Sequence, residues 1–538
     1  ARAAAVETVV RDLLQIVVID LSADENAQEI FETLNARGAQ LTAADLIKNF
    51  IFQRLLESGA DVEQAYEQHW KEFETAFWEA EVGAGRARAQ RSSSFLNHWL
   101  VANTGEEIVA REVFTRFKRY ADNESQLPMA ELLVRLHKAS VLYRRFVEQA
   151  VAEAGPIDRL GLFAYRTGAL ESEVMKPLVL CLLDPEAEPV PESQFTKALD
   201  VLESWMLRRM LVRASTKSYN PTVAALVAQL RAGDRIRAGD AIEEYLRAQR
   251  SDTSYWPDDT EVREAVSSLL AYRRMGRARL RMVLEAIEDF KRGWRNGQVG
   301  LGGERVARGK YAIEHVMPRK WLQHWPLTPG GDTDVERDRN IHTLGNLTLL
   351  TSRLNSRVSN GPWAGAAGKG AALEGHDVLV LNRELRKAAG DQWTDDAIRR
   401  RTRDLIEAIL QIWPVPANHQ SDFARSIPVR RKNVQLADLL AGGAIAAGDP
   451  LFPSSKRYPD RAVTVLPDGR IDVDGKAYAS PSEAATSIRG HQTNGWGFFL
   501  VDRESRRSLR TVRQEYVEAM AVDDDEDDPD IDDADDED

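Results

Sequence analysis

Glu314 and His315 stand side by side in YAIEHVMPRKW (311–321), and Asn346 and Asn355 follow in HTLGNLTLLTSRLNSRVSN (342–360). Phosphodiester hydrolysis needs a base for the attacking water, a cation to absorb developing charge, and a scaffold that holds both. His315 can be the base, because an imidazole exchanges protons near neutral pH. Glu314 is a hard oxygen ligand. Asn346 is expected at a turn into an apolar strand, and Asn355, nine residues later, on a helix. An amide oxygen from Asn355 would complete an oxygen-rich site, which suits magnesium or manganese better than zinc. A His closing a strand and an Asn-Leu-Thr turn are also ordinary structural features, but three segments in this order favour a site. His342 could touch phosphate or serve as a surface or structural residue, and His324 and His376 attract no role.

Basic residues surround these segments. Arg319 and Lys320 follow the Glu-His pair, Arg353 and Arg357 flank Asn355, and Arg305, Arg308 and Lys310 come just before. Such side chains would give a polyanion affinity without sequence information. Solvated surface charge is the plain alternative for any one of them.

The elements that must position these residues follow from periodicity. Residues 12–21 form a short β-like run, and a helix from about Asp24 carries Ile30, Phe31 and Leu34 on one face, with Gly38 as its cap. Thr42 and Asp45 predict a capping box for the next helix. From about 56 to 300 the pattern is strongly helical, broken at Gly155-Pro156, at DPEAEPVPES and at DTSYWPDD. Residues 301–365 lose the long helical period. It returns in WTDDAIRRRTRDLIEAILQIW, where Ile398, Leu405 and Ile409 make the apolar stripe and Arg399, Arg400 and Arg403 lie off it. Farther on, VTVLPDGRIDVDGKAYAS alternates around two Asp-Gly turns, as a hairpin would. SPSEAATSI then opens a helix with Ser480 as N-cap.

The 538 residues are too many for one core, so several domains are expected. No apolar run reaches the roughly 18 residues of a membrane span, and no secretory signal opens the sequence. Cys181 is the single cysteine, which excludes an internal disulfide and a C-x-x-C zinc knuckle; its neighbours LVLCLLD predict burial. The net charge of -13 comes from the tail: Asp523–Asp538 holds 13 acidic residues, and without it 71 acidic residues face 71 basic ones. Such a run stays unfolded by self-repulsion. It serves either as a solubilising tail or as a nucleic-acid mimic that screens a basic groove.

IEHVMP, LGNLTLL and LNSRVSN together resemble an HNH (His-Me finger) nuclease of the ββα-metal type. More narrowly, they are similar to the C-terminal nuclease domain of GmrSD-type, modification-dependent restriction endonucleases, over roughly 200–415. The resemblance implies that His315 is the general base, that Glu314 and Asn355 hold Mg2+ or Mn2+, and that Asn346 orients the His loop by backbone hydrogen bonds. Glu stands where many of these enzymes carry Asp, and both later positions are Asn rather than His. IFETLNARGAQLTAADLIKN resembles the end of the N-terminal domain of the same family, over about 17–55. That family's nucleotide site depends on an Asp-Gly-Gln-Gln-Arg motif that this sequence does not contain. Since the sequence begins inside a helical pattern, an upstream part is expected, and NTP would act only through it. Asn35, Arg37 and Lys48 are candidates for that domain's functional surface or for caps and packing. LADLLAGGAIAAGDPL, GKAYASPSEAATSI and TNGWGFF resemble the RAMA module, which implies a DNA reader: Trp496 and Phe498 would stack on a base and Asn494 would hydrogen-bond to one. Core packing is the alternative for the aromatics.

The expected fold is a mainly α-helical multi-domain chain with an embedded ββα-metal nuclease unit and a small α+β C-terminal module. Its parts are a GmrSD-type N-terminal remnant (1–55), a helical scaffold (56–300), the HNH domain with its closing helix (301–415), a linker (416–432), the RAMA-like module (433–518) and the acidic tail (519–538). The implied function is metal-dependent cleavage of modified or foreign double-stranded DNA in the bacterial cytoplasm, with no membrane partner and with a homo-oligomer allowed. A non-catalytic DNA-binding adaptor on an HNH scaffold, or a nuclease acting on RNA, are the rival readings.

Overall fold

The computed structural model describes Arg11 and residues 41–83, 88–151, 157–294, 299–300, 303–327, 332–351, 361–365, 368–375, 378–421, 435–455, 457–458, 461–491 and 493–520. The β-like run at 12–21, the helix from Asp24, Gly38, Asn35, Arg37, Arg353, Asn355, Arg357 and the acidic tail lie outside the described residues. The chain divides into two compact units, residues 1–420 and 421–538. No helix among the described residues is long and apolar enough to cross a membrane.

The first unit is mainly helical. Helix α1 (Ala43–Glu57) starts with the expected capping box: the Thr42 hydroxyl accepts the Asp45 N–H at 3.2 Å, and the Asp45 carboxylate accepts the Thr42 N–H at 3.0 Å. Lys48 on α1 is ion-paired with Glu74. Proline ends the helical run at 184–191, and α2 (Glu192–Leu211) begins directly after Pro191. Cys181 is buried in the short helix before that break. A two-stranded ribbon, Glu81–Val82 against Ala89–Gln90, interrupts the helices where periodicity gave no sign of it. One apolar core runs through these helices and continues into Leu344, Leu347, Leu349, Leu405 and Ile409.

The part that carries the Glu-His pair hangs on two helices. Helix α3 (Ala271–Arg274) turns at Gly276 into α4 (Arg277–Lys291), which is buried on nearly every side from Leu280 to Phe290. Three of its buried residues are acidic, and each holds a neighbouring segment. Glu285 accepts from the Gly309 N–H at 2.8 Å and from the Tyr165 hydroxyl. Asp289 accepts from the Val306 N–H at 2.7 Å and pairs with Arg305 at 3.1 Å. Glu288 accepts the Val380 and Leu381 N–H groups at 3.0 and 2.8 Å, the open first turn of a later helix. Arg305 and Arg308 are therefore not the solvent-facing phosphate contacts their position suggested. Arg305 answers a buried carboxylate, and Arg308 is buried, its guanidinium 5.9 Å from the centroid of the Tyr165 ring.

Strand β1 (Ala312–His315) pairs antiparallel with β2 (Leu347–Leu350), with His315 opposite Leu347 and Glu314 opposite Thr348. All four β2 residues are buried. Successive side chains leave a strand on opposite faces. Leu347 and Leu349 accordingly enter the helical core, while Leu350 joins a second core with Val316, Met317, Trp321, Trp363, Trp393 and Ile398. After β2 come α5 (Lys369–Gly375), α6 (Val380–Ala389) and α7 (Asp395–Ile412). Helix α7 has the expected apolar stripe, and Arg399, Arg400 and Arg403 are exposed.

The second unit contains a five-stranded antiparallel sheet. Its strands are β3 (Pro450–Pro453), β4 (Val463–Val465), β5 (Ile471–Val473), β6 (Lys476–Tyr478) and β7 (Phe499–Leu500), in the order β6-β5-β4-β3-β7. Both Asp-Gly turns lie where alternation put them. At Asp474-Gly475 both residues have positive φ, 54° and 84°, as the tight hairpin turn requires. Helix α8 (Pro481–Arg489) is capped by Ser480, and the short α9 (Gly495–Phe498) follows.

Candidate active site

His315 ends β1 and is 6 % exposed. Its Nε2 lies 3.3 Å from Nδ1 of His342, which is 3 % exposed. His342 is thus buried against the Glu-His segment; a surface position is excluded. Burial comes first in pushing both imidazoles down. His315 falls to about 2, helped by His342, Arg319, Lys369 and Arg277. His342 falls to about 3, helped by Arg273, Arg319 and Arg277. Both rings are neutral at pH 7. The Tyr272 ring packs on His315 with centroids 4.1 Å apart, and the Tyr272 N–H donates to the His342 carbonyl at 3.1 Å.

Asn346 is fully buried, and its carboxamide is saturated. The oxygen accepts from Met317 N–H at 2.8 Å and from Trp393 Nε1 at 3.0 Å. The nitrogen donates to the Met317 and Ile341 carbonyls, both at 2.8 Å. The Val316 N–H reaches the Asn346 carbonyl at 2.9 Å. Asn346 therefore ties the two residues after His315 to the chain before β2. Helix α7 backs this arrangement. Arg401 Nη1 donates to the Gly345 and Leu347 carbonyls at 2.6 and 2.8 Å, and the Gly345 N–H donates to Thr402 Oγ1 at 3.1 Å. A Cβ at Gly345 would stand 2.2 Å from the Ile398 carbonyl, so only glycine fits between loop and helix.

Glu314 is held by a residue the sequence did not single out. Lys369 Nζ, on the buried N-terminal turn of α5, donates to Glu314 Oε1 at 2.6 Å and to the His315 carbonyl at 2.7 Å. Burial raises the Glu314 carboxyl and lowers the Lys369 ammonium, so desolvation outweighs the attraction between them. No other described side chain donates to the Glu314 carboxylate, on which the His315 N–H also acts. Among the described residues, no three His, Cys, Asp or Glu side chains gather as a metal-binding group. The donor set present is one carboxylate oxygen, with the Asn355 position outside the described residues. That fits a divalent ion which keeps most of its water, as magnesium commonly does, and does not fit a closed zinc cage.

Arg319 and Lys320 are exposed just after β1, and Arg319 lies 6.0 Å from the Tyr272 ring centroid. In the second unit, Trp496 is half-buried with the Arg513 guanidinium 4.6 Å from its ring centroid. Asn494 is exposed, and its carboxamide oxygen is taken by the Trp496 N–H at 3.1 Å as the cap of α9. Phe498 is 6 % exposed and packs against Tyr458 and Phe499. Its ring fills the core of that unit, which corrects the expectation that it stacks on a base.

Sequence reasoning missed His342 as a neighbour of His315, and it missed Tyr272, Lys369, Trp393 and Arg401 altogether. No spacing rule joins these residues to the Glu-His pair. The one available signal was His342 itself, four residues before Asn346 and at the mouth of an apolar strand.

Three family models match the chain. The GmrSD restriction endonuclease N-terminal domain matches residues 3–52, and the GmrSD restriction endonucleases C-terminal domain matches residues 256–408. The model named RAMA, Restriction Enzyme Adenine Methylase Associated, matches residues 416–522. No curated protein matches. The C-terminal domain match takes in α3 and α4 as well as both strands of the Glu-His segment.

Proposed function

From a chain that combines the N- and C-terminal domains of the GmrSD restriction endonucleases with a RAMA module, we propose a metal-dependent DNA endonuclease that cleaves modified or foreign DNA with His315 as its general base. The observation that carries this reading is the state of His315. The ring is fixed between Tyr272 and His342 at the end of β1, and its loop is clamped by Asn346. Of the two tautomers open to the pair, one leaves a base on the site. When His315 donates from Nε2 to His342 Nδ1, His315 Nδ1 has its lone pair free to take a proton from water. The water oxygen then attacks phosphorus as the bond to the leaving oxygen breaks.

Glu314, with Asn355, would hold the Mg2+ or Mn2+. That ion would supply charge stabilisation on the phosphate and the leaving oxygen. Lys369 keeps the Glu314 side chain facing one way through Oε1. Arg319 and Lys320, with Arg353 and Arg357, would meet backbone phosphates. Trp496 and Asn494 form the reading surface of the second unit, with the Asn494 amide nitrogen as the hydrogen-bonding group. On this reading the β1–β2 pair of the first unit, around the Glu-His pair and Asn346, is the strand part of an HNH site.

The test is cleavage of plasmid DNA with magnesium or manganese, using modified and unmodified substrate and wild type beside His315→Ala. Expected is metal-dependent cutting, biased toward one substrate and reduced at least about 100-fold in the variant, with DNA binding retained. A variant that cuts at the wild-type rate would remove His315 from the mechanism.

A further inference from the structure

Several arginines around the catalytic strands are matched by acids. Arg292 pairs with Glu288, Arg305 with Asp289 and Arg337 with Asp395. Two beside the histidines are different. Arg277, the first residue of α4, and Arg319, in the loop after β1, are both exposed, and neither forms an ion pair with a carboxylate among the described residues. Both approach Tyr272. The guanidinium carbon of Arg277 is 3.6 Å from the ring centroid, and that of Arg319 is 6.0 Å away. The same ring lies 4.1 Å from His315 and 6.0 Å from His342. Arg277 also donates to the Tyr272 carbonyl, so its guanidinium is held at both ends of one residue.

Two cations with no carboxylate ion pair among the described residues, steadied on one aromatic ring beside the histidine pair, make a local excess of positive charge. The Tyr272 contacts hold the two guanidinium groups without neutralising them, and an anion would do so. The planar guanidinium is the group best shaped to receive a phosphate through two parallel N–H donors.

We propose that Arg277 and Arg319, gathered about the Tyr272 ring, bind a backbone phosphate of the strand that is cut, next to His315. This rests on the nuclease reading of His315 and deepens it. The site is completed by α3 and α4, helices that precede the catalytic strands. Tyr272 acts as the spacer that sets the distance between the phosphate and the base. The contact is to the backbone, so it carries affinity and position but no base sequence.

The experiment is equilibrium binding of the full chain to a DNA duplex without divalent ion, across a series of salt concentrations, followed by cleavage with magnesium. Each lost phosphate contact should shallow the slope of log K against log salt by about 0.9. Arg277→Ala and Arg319→Ala should each show that loss, the double variant about twice as much, and cleavage should fall mainly through a higher KM. Arg277→Lys keeps the charge and should restore the salt slope. Arg111→Ala, at an arginine that is 85 % exposed and paired with Glu112, should match wild type. If wild type cuts while the double variant binds with an unchanged slope, the phosphate site is wrong and the nuclease reading stands. If wild type neither binds nor cuts DNA, both fall together.

Discussion

Glu288 and Glu314 are two carboxylates in one unit, and they are satisfied in opposite ways. Glu288 is fully buried, and both its oxygens are engaged by the N–H groups that open α6, with Arg292 beside them. Glu314 has Oε1 on Lys369, and no other described side chain donates to it. A carboxylate with both oxygens engaged by backbone donors is mortar, because neither oxygen is idle when a ligand arrives. A carboxylate held by a single side-chain donor can still take a ligand. On the proposed reading, the contrast separates an acid that builds the site from one that would hold the ion more sharply than burial does.

The same substitution should therefore have opposite signatures at the two positions. Glu288→Gln places an amide N–H against a backbone N–H, and it should destabilise the unit by about 2–4 kcal/mol in urea unfolding. Its activity loss should follow the unfolded fraction. Glu314→Gln leaves an oxygen for Lys369 but removes the counter-charge of its buried ammonium, so it should cost about 3–5 kcal/mol, yet abolish cleavage in the protein that remains folded. Activity that merely followed the folded fraction at Glu314 as well would erase the distinction.

A smaller effect sharpens it through pH. His315 and His342 are held far below an ordinary imidazole value, so the unfolded chain binds their protons more readily. Their contribution is complete above about pH 6.5 and is lost as pH falls below it, by up to about 1.4 kcal/mol per pH unit for each ring. Glu285 works the other way. Burial pushes its carboxyl up to about 7, so its effect on stability grows more favourable as pH falls from 7 toward the unfolded value. The two partly offset in wild type. His342→Gln should accordingly make the fall in stability from pH 7 to pH 5 shallower, as measured by urea unfolding at several pH values. An unchanged pH slope would mean that His342 is not held neutral.

The sequence disclosed what lies along one strand or one turn. The strand placement of Glu314 and His315 and the turn at Asn346 were legible because a short apolar strand, a Glu-His pair and a Gly-Asn turn are local patterns. The α7 stripe, the Thr42 capping box and the Asp-Gly hairpins were legible for the same reason. Lys369, Tyr272 and Trp393 were not, because each meets the site through the fold, from 43 to 55 residues away in the chain. Arg305 and Arg308 misled because a row of basic residues reports charge and not direction. Their partners, Asp289 and Tyr165, sit on helices whose facing could not be read from the row itself. Phe498 misled less, since its neighbours already allowed it a core position.

Gly345 sets the boundary of what could be lifted out of this protein. The loop before β2 approaches α7 so closely that there is no room for a single methyl group, while Arg401, Thr402 and Trp393 grip the same loop by hydrogen bonds. The two strands and their histidine are therefore not a portable cassette. A graft into another scaffold would have to bring Trp393 and α7 with it, although more than forty residues of chain lie between them and the strands. The smallest transplantable piece is defined by that contact and not by the motif.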